Sequence, residues 1–150
     1  MTIYDKIRNM KTMLIDDDEW IRNSMSIIFE NEHCYLKTFE TAEEALKELE
    51  QGKYEIIICD YKLPGIDGLE FFRKIKTKYP DSVNILITAY GNESLINKAL
   101  DVGINDVVVK PFNTKIIEDS LAVSLLMKKN RTSNKNGINE RRTDVNNLSK

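Results

Sequence analysis

Residues 56–68 read I-I-I-C-D-Y-K-L-P-G-I-D-G, and this stretch decides the fold. Ile56-Ile57-Ile58-Cys59 is apolar at every position, β-branched in character and too short for a helix. A strand with one wet face alternates apolar and polar residues. One that is apolar throughout is covered on both faces, as in a parallel sheet flanked by helices. Asp60 closes the run, Pro64-Gly65 turns the chain, and Asp67-Gly68 reads as the cap of a following helix.

On either side of this stretch the pattern repeats. Met13-Leu14-Ile15, Ile85-Leu86-Ile87 and Val107-Val108-Val109 are three more short apolar runs. Tyr35–Phe39 includes Lys37 and Thr38 and is expected to be a half-exposed edge strand. Between the runs, apolar residues fall at helical spacing: Ile21, Met25, Ile28 and Phe29, then Ala42, Ala45, Leu46 and Leu49 behind a Thr41/Glu44 capping box. Leu69, Phe72 and Ile75 mark a third helix ended by Tyr79-Pro80. Leu95, Ala99 and Val102 mark a fourth stopped by Gly103, and a fifth runs over 114–128 through Ile117, Leu121 and Leu125. The order is strand–helix five times over. Right-handed crossovers then place helices on both faces of one sheet. The expectation is an α/β, flavodoxin-like, doubly wound five-stranded parallel sheet of order 2-1-3-4-5 with five helices.

The composition fits one domain: 150 residues, of which 41% are apolar and 31% charged. Residues 129–150 hold six Lys/Arg against two acids, which leaves −6 on residues 1–128 out of a total of −2. An acidic body is a poor match for direct nucleic-acid binding. No apolar run approaches the roughly 20 residues of a membrane span. The opening MTIYDKIRNM carries charge where a signal peptide would be apolar. A cytoplasmic protein is expected, with Cys34 and Cys59 as buried, inert thiols. Residues 1–10 read as a short N-terminal extension and 11–128 as the domain. Residues 129–150 form a basic tail whose few large apolar groups, Ile138, Val145 and Leu148, predict disorder.

In open α/β sheets the binding crevice lies at the carboxyl ends of the strands. There the sequence places Asp16-Asp17-Asp18, Asp60, Thr88 and Lys110. Several carboxylates beside one ammonium call for a cation, and hard oxygen donors suit Mg²⁺.

Four strings in order, L-I-D-D-D-E-W-I-R at 14–22, C-D-Y-K-L-P-G-I-D-G at 59–68, I-T-A-Y-G at 87–91 and V-K-P-F at 109–112, give the chain a specific resemblance. It resembles the response-regulator receiver domains of two-component signalling, over roughly residues 11–128. The resemblance implies that Asp60 accepts a phosphoryl group from a histidine kinase or phosphotransfer protein. It implies Mg²⁺ ligation by Asp17, Asp60 and the Lys62 backbone carbonyl, with Asp16 acting through water. Lys110 would pair with a phosphoryl oxygen, Thr88 would donate its hydroxyl to the new phosphate, and Pro111 would follow a cis bond. A phosphoacceptor switch of this kind is no enzyme beyond turnover of its own phosphoaspartate.

Plainer readings compete at each position. Asp18 is expected to be a helix-start acid, Asp67-Gly68 a structural cap, and His33 a surface residue on the edge strand. Trp20 is expected to pack on its helix rather than to line the site. Val107 departs from the family's aromatic residue three positions before the lysine, so activation would work through backbone and loop changes. The rival function is a haloacid-dehalogenase-like Mg²⁺-dependent phosphatase, but D-D-D-E-W at 16–20 lacks the small residue that closes that family's first-strand motif. Residues 129–150 are not expected to hold an output domain. A stand-alone receiver and a piece of a longer regulator both stay open, as do a downstream protein partner and a phosphorylation-dependent homodimer.

Overall fold

The computed structural model describes residues 1–130. The tail expected to be disordered lies, from residue 131 on, outside the described residues. The strands are β1 (Lys11–Ile15), β2 (Tyr35–Phe39), β3 (Ile56–Asp60), β4 (Val83–Thr88) and β5 (Asp106–Val109). They form one parallel sheet in the order β2-β1-β3-β4-β5. Both the expected class and the expected strand order hold.

The sheet splits the core in two because side chains alternate along each strand. Ile57 and Cys59 of β3 point, with Met13, Ile15 and Leu86, to helices α3 (Ala42–Gln51), α4 (Gly68–Ile75) and α5 (Glu93–Val102). Ile56 and Ile58 point, with Leu14, Ile85 and Ile87, to α2 (Glu19–Asn31) and to α6 over 114–130. β3 is buried at all five positions, whereas β2 is half-exposed as its mixed sequence predicted. Each fully buried isoleucine contributes about 2 kcal/mol of burial free energy, so the central strand anchors both layers.

Six helices occur among the described residues, one more than the sequence suggested. The sixth is α1 (Ile3–Ile7), inside the stretch that the sequence predicts to be a short N-terminal extension. Five residues are too few to show a period, but Tyr4 and Ile7 at i, i+3 are both buried against the α2 side of the core. Tyr4 meets Phe29 edge to face at 6.2 Å. Thr2 and Asp5 close a capping box at its start.

The cap residues behave as their types dictate. Asp18 accepts from the Trp20 and Ile21 amides, and Asp67 accepts from Glu70. The Thr41 hydroxyl accepts from the Glu44 amide at 3.2 Å, but the Glu44 carboxylate meets that same hydroxyl instead of reaching back to the Thr41 amide. Gly103 ends α5 in the left-handed region. His33 is exposed as expected, but it lies in the turn before β2 with φ 57, not on the strand. Trp20 is a clear correction. It is 76% exposed, because Ile21, Met25 and Phe29 take the inward stripe of α2 and Trp20 sits one residue off that stripe. No helix among the described residues is long and apolar enough to cross a membrane.

Candidate functional site

Four of the five strands deliver a polar residue to the carboxyl edge of the sheet. Asp16 follows β1, Asp60 ends β3, Thr88 ends β4 and Lys110 follows β5. Register does the placing: Ile15 pairs with Cys59, Asp60 with Ile87, and Thr88 with Val109. Asp16 is fully buried, Asp60 is 5% exposed and Thr88 is 1% exposed, while Asp17 is exposed. The next helix starts tight against the site. A side chain at Gly68 would strike the Asp60 carbonyl, so only glycine lets α4 begin there.

Lys110 Nζ lies 3.0 Å from Asp60 Oδ2 and 3.2 Å from Asp16 Oδ2, one ammonium shared by two buried carboxylates. The first contact is also a hydrogen bond. The second is charge pairing without good hydrogen-bond geometry, and Asp16 Oδ2, sealed from solvent, has no other partner. Such an atom is costly unless something else joins it. Asp16, Asp17 and Asp60 can each bring one oxygen within 4.8 Å of the others. Three hard carboxylate donors, with a buried Asp16 oxygen that lacks a hydrogen bond of good geometry beside them, fit a small divalent cation such as Mg²⁺.

Charge crowding shows in the acid itself. Burial first, then the Asp16 charge, pushes the Asp60 carboxyl up to about 6, against the opposing pull of Lys110. Burial opposes the charge on Lys110, but the Asp60 hydrogen bond and the charges of Asp16 and Asp60 outweigh it and raise its pKa. The Thr88 hydroxyl is engaged within its own loop. It accepts from the Tyr90 amide at 2.9 Å and lies 3.4 Å from the Tyr90 carbonyl. The Lys110–Pro111 bond is cis, as the resemblance implied. Lys62 is exposed and its ammonium sits 4.6 Å from the centre of the Tyr90 ring. Val107 is half-buried against the α3–α5 core. Burial, together with the nearby carboxylates Asp60, Asp16 and Asp67, raises the Cys59 thiol well above its usual range, and burial raises Cys34 as well. Both thiols are free.

A cavity of about 730 Å³ opens beside the site between α2 and α6, lined by Trp20, Ile21, Ile28, Phe112 and Ile117. Trp20 is thus a rim residue. Sequence spacing also missed Glu43, whose carboxylate accepts from the Ile66 amide at 2.8 Å. That contact spans 23 residues, and within its own helix Glu43 looks like one more first-turn acid.

Residues 12–122 match the family model of the response regulator receiver domain. The chain belongs to that family. The receiver is 30% identical over 124 residues to sporulation initiation phosphotransferase F of Bacillus subtilis, a match covering 81% of this chain and 98% of that protein. It is 30% identical to the transcriptional regulatory protein ResD of the same organism over 83% of this chain, but spans only 51% of ResD. Among solved structures, the BeF3-activated receiver domain of DrrB superposes with a TM-score of 0.69 at 29% identity, covering 77% of this chain and 97% of that one. The haloacid-dehalogenase-like alternative has no support. The nucleophile candidate is on β3, and the sheet order is that of receivers.

Proposed function

We propose that this receiver is a phosphorylation-dependent switch that takes a phosphoryl group on Asp60 from a histidine kinase or a histidine phosphotransfer protein. The observation that carries the reading is the shared ammonium: Lys110 bridges Asp16 and Asp60, with Asp17 close enough to complete a three-carboxylate cluster. An Asp60 oxygen forms the bond to phosphorus as the phosphorus–nitrogen bond of the donor histidine breaks, and the imidazole nitrogen keeps that electron pair. Lys110 then trades its carboxylate partner for a phosphoryl oxygen, as a mobile point charge on a flexible stem suits. The Thr88 hydroxyl leaves Tyr90 and donates to a second phosphoryl oxygen, which frees the loop that begins at Ala89.

Asp16, Asp17, Asp60 and the Lys62 carbonyl would hold Mg²⁺, with Asp16 acting through water. The ion supplies neutralisation of the negative charge that gathers on the phosphoryl oxygens. The chain is not an enzyme in the ordinary sense: the group it turns over is its own phosphoaspartate. With Val107 in place of an aromatic ring, the signal leaves by loop and backbone shifts. Its readers are a downstream protein, an output domain, or a second copy in a phosphorylation-dependent homodimer. Direct nucleic-acid binding is disfavoured by the acidic body, and the setting is cytoplasmic.

Treatment with acetyl phosphate and Mg²⁺ should add one phosphoryl mass to the intact protein, and Asp60→Asn should abolish it. An undiminished adduct in that variant would falsify the assignment of Asp60.

A further inference from the structure

We infer that Glu43, in the first turn of α3, is a positioning residue for the Mg²⁺ site and sets the loop that carries the Lys62 carbonyl. The inference rests on the metal reading proposed above.

The loop between β3 and α4 spans residues 61–67. At its base the Tyr61 amide donates to the Ile87 carbonyl at 2.7 Å, and the Gly68 amide donates to the Tyr61 carbonyl at 2.8 Å. These bonds fix where the loop leaves the sheet and where it enters α4. They leave its crest, Leu63 to Ile66, to be held from elsewhere.

Glu43 reaches that crest from a neighbouring helix, accepting the Ile66 amide proton on Oε1 at 2.8 Å. The hydrogen bond from the Ile66 amide lowers the Glu43 carboxyl from its usual range, so the acceptor is a full carboxylate at neutral pH. Gly65 makes room for it in two ways. Its φ of +81 is left-handed, and a Cβ there would fall onto the Glu43 carboxylate. Carboxylate and glycine therefore fit each other, although 22 positions separate them in the chain.

Asp67, at the far end of the loop, is already committed to capping α4 through the Glu70 amide. The loop is thus pinned at its base by backbone, at its end by a cap, and at its crest by Glu43. A ligand contributed by main chain has no rotamer to adjust, so its aim depends on such supports, and supporting hydrogen bonds of this kind tune metal affinity.

The test is Mg²⁺ titration by calorimetry on the full chain, with thermal unfolding in chelator run beside it. Glu43→Ala is expected to weaken Mg²⁺ binding by about fivefold, as the loss of one charge-assisted hydrogen bond would. A merely structural contact would lower the thermal midpoint and leave the affinity alone. Glu43→Gln keeps an oxygen acceptor without the charge and should restore affinity to within about twofold of wild type. Wild-type affinity in Glu43→Ala overturns the inference, and so does a Glu43→Gln variant as weak as Glu43→Ala, since the effect would then be charge and not position. Asp17→Asn separates the two levels. If it alone loses Mg²⁺, the inference about Glu43 fails and the metal reading stands. If it too binds like wild type, the metal reading falls and takes the inference with it.

Discussion

The two ends of the sheet each hold a lysine among acids and aromatic rings, and they treat it in opposite ways. At the amino end, Lys11 lies 4.6 Å from the centre of the Tyr54 ring and 5.0 Å from that of Tyr35. The Tyr54 hydroxyl donates to Glu48 at 2.8 Å, Lys37 pairs with the same carboxylate at 2.8 Å, and the Lys11 amide donates to Glu55 at 2.7 Å. Each acid there has a donor. At the carboxyl end Lys110 is divided between two buried carboxylates, and the sealed Asp16 oxygen has its charge at 3.2 Å but no hydrogen bond of good geometry. Similar residue types thus give a satisfied cluster at one edge, which holds the strands together, and an unsatisfied one at the other, which is ready for a ligand.

The contrast breaks most visibly at Lys110. Lys110→Met leaves Asp16 and Asp60 buried without a cation. Removing one partner of a buried pair costs about 3–5 kcal/mol at full burial, and partial exposure of Lys110 together with proton uptake by Asp60 should bring this to about 2–3 kcal/mol. Urea melts in chelator at pH 7.5 measure it. The loss should shrink toward pH 5 as Asp60 takes up its proton. A variant as stable as wild type would mean that Lys110 adds nothing to the metal-free fold.

What was legible beforehand follows from the range of the interactions. The four polar strand ends were readable because a parallel sheet delivers every strand's carboxyl end to one edge, whatever the loops do. The caps at Asp18, Asp67 and Gly103 were readable because each acts within three or four residues. Glu43 and the Lys11–Tyr35–Tyr54 cluster were not, since register and loop path decide which distant side chains meet. Trp20 defies its sequence expectation because a helical stripe is about 100° wide, and a one-residue offset turns a packing residue into a rim residue. α1, at five residues, makes little more than one turn, too few for an apolar stripe to repeat.

A smaller effect, with a definite sign, follows from Asp60. Its folded value of about 6 stands above the ordinary 3.8 of an unfolded aspartate. The native state therefore binds the extra proton more readily, and metal-free wild type should gain stability as pH falls from about 7 to about 4. The two-unit shift sets a ceiling of about 3 kcal/mol. The opposing pull of Lys110 is already inside that figure. Discounted for water at the site, the advantage of Asp60→Asn over wild type should be about 1–2 kcal/mol at pH 7.5 in chelator and be gone near pH 4. Excess Mg²⁺ should reverse the order by stabilising wild type alone. A flat stability difference across this pH range would show that Asp60 is not held at a cost.

The smallest expected effect tests the satisfied end. Tyr54→Phe keeps the ring, which is 2% exposed, so the apolar packing and the contact with Lys11 survive. It removes one donor to Glu48 and the hydroxyl partner of Tyr35 at 3.3 Å. Glu48 still has Lys37 and is partly open to water, so no charge is stranded. The loss should be about 1 kcal/mol, that of one net hydrogen bond, and it should show little dependence on Mg²⁺. Metal affinity and the acetyl phosphate adduct should stay at wild-type levels, because this cluster sits at the opposite edge of the sheet from Asp60. Matched melts and Mg²⁺ titrations of Tyr54→Phe and Lys110→Met make the comparison direct. A shift in metal affinity from the tyrosine change would mean that the two edges are coupled through the strands between them, and that the amino end is more than an anchor.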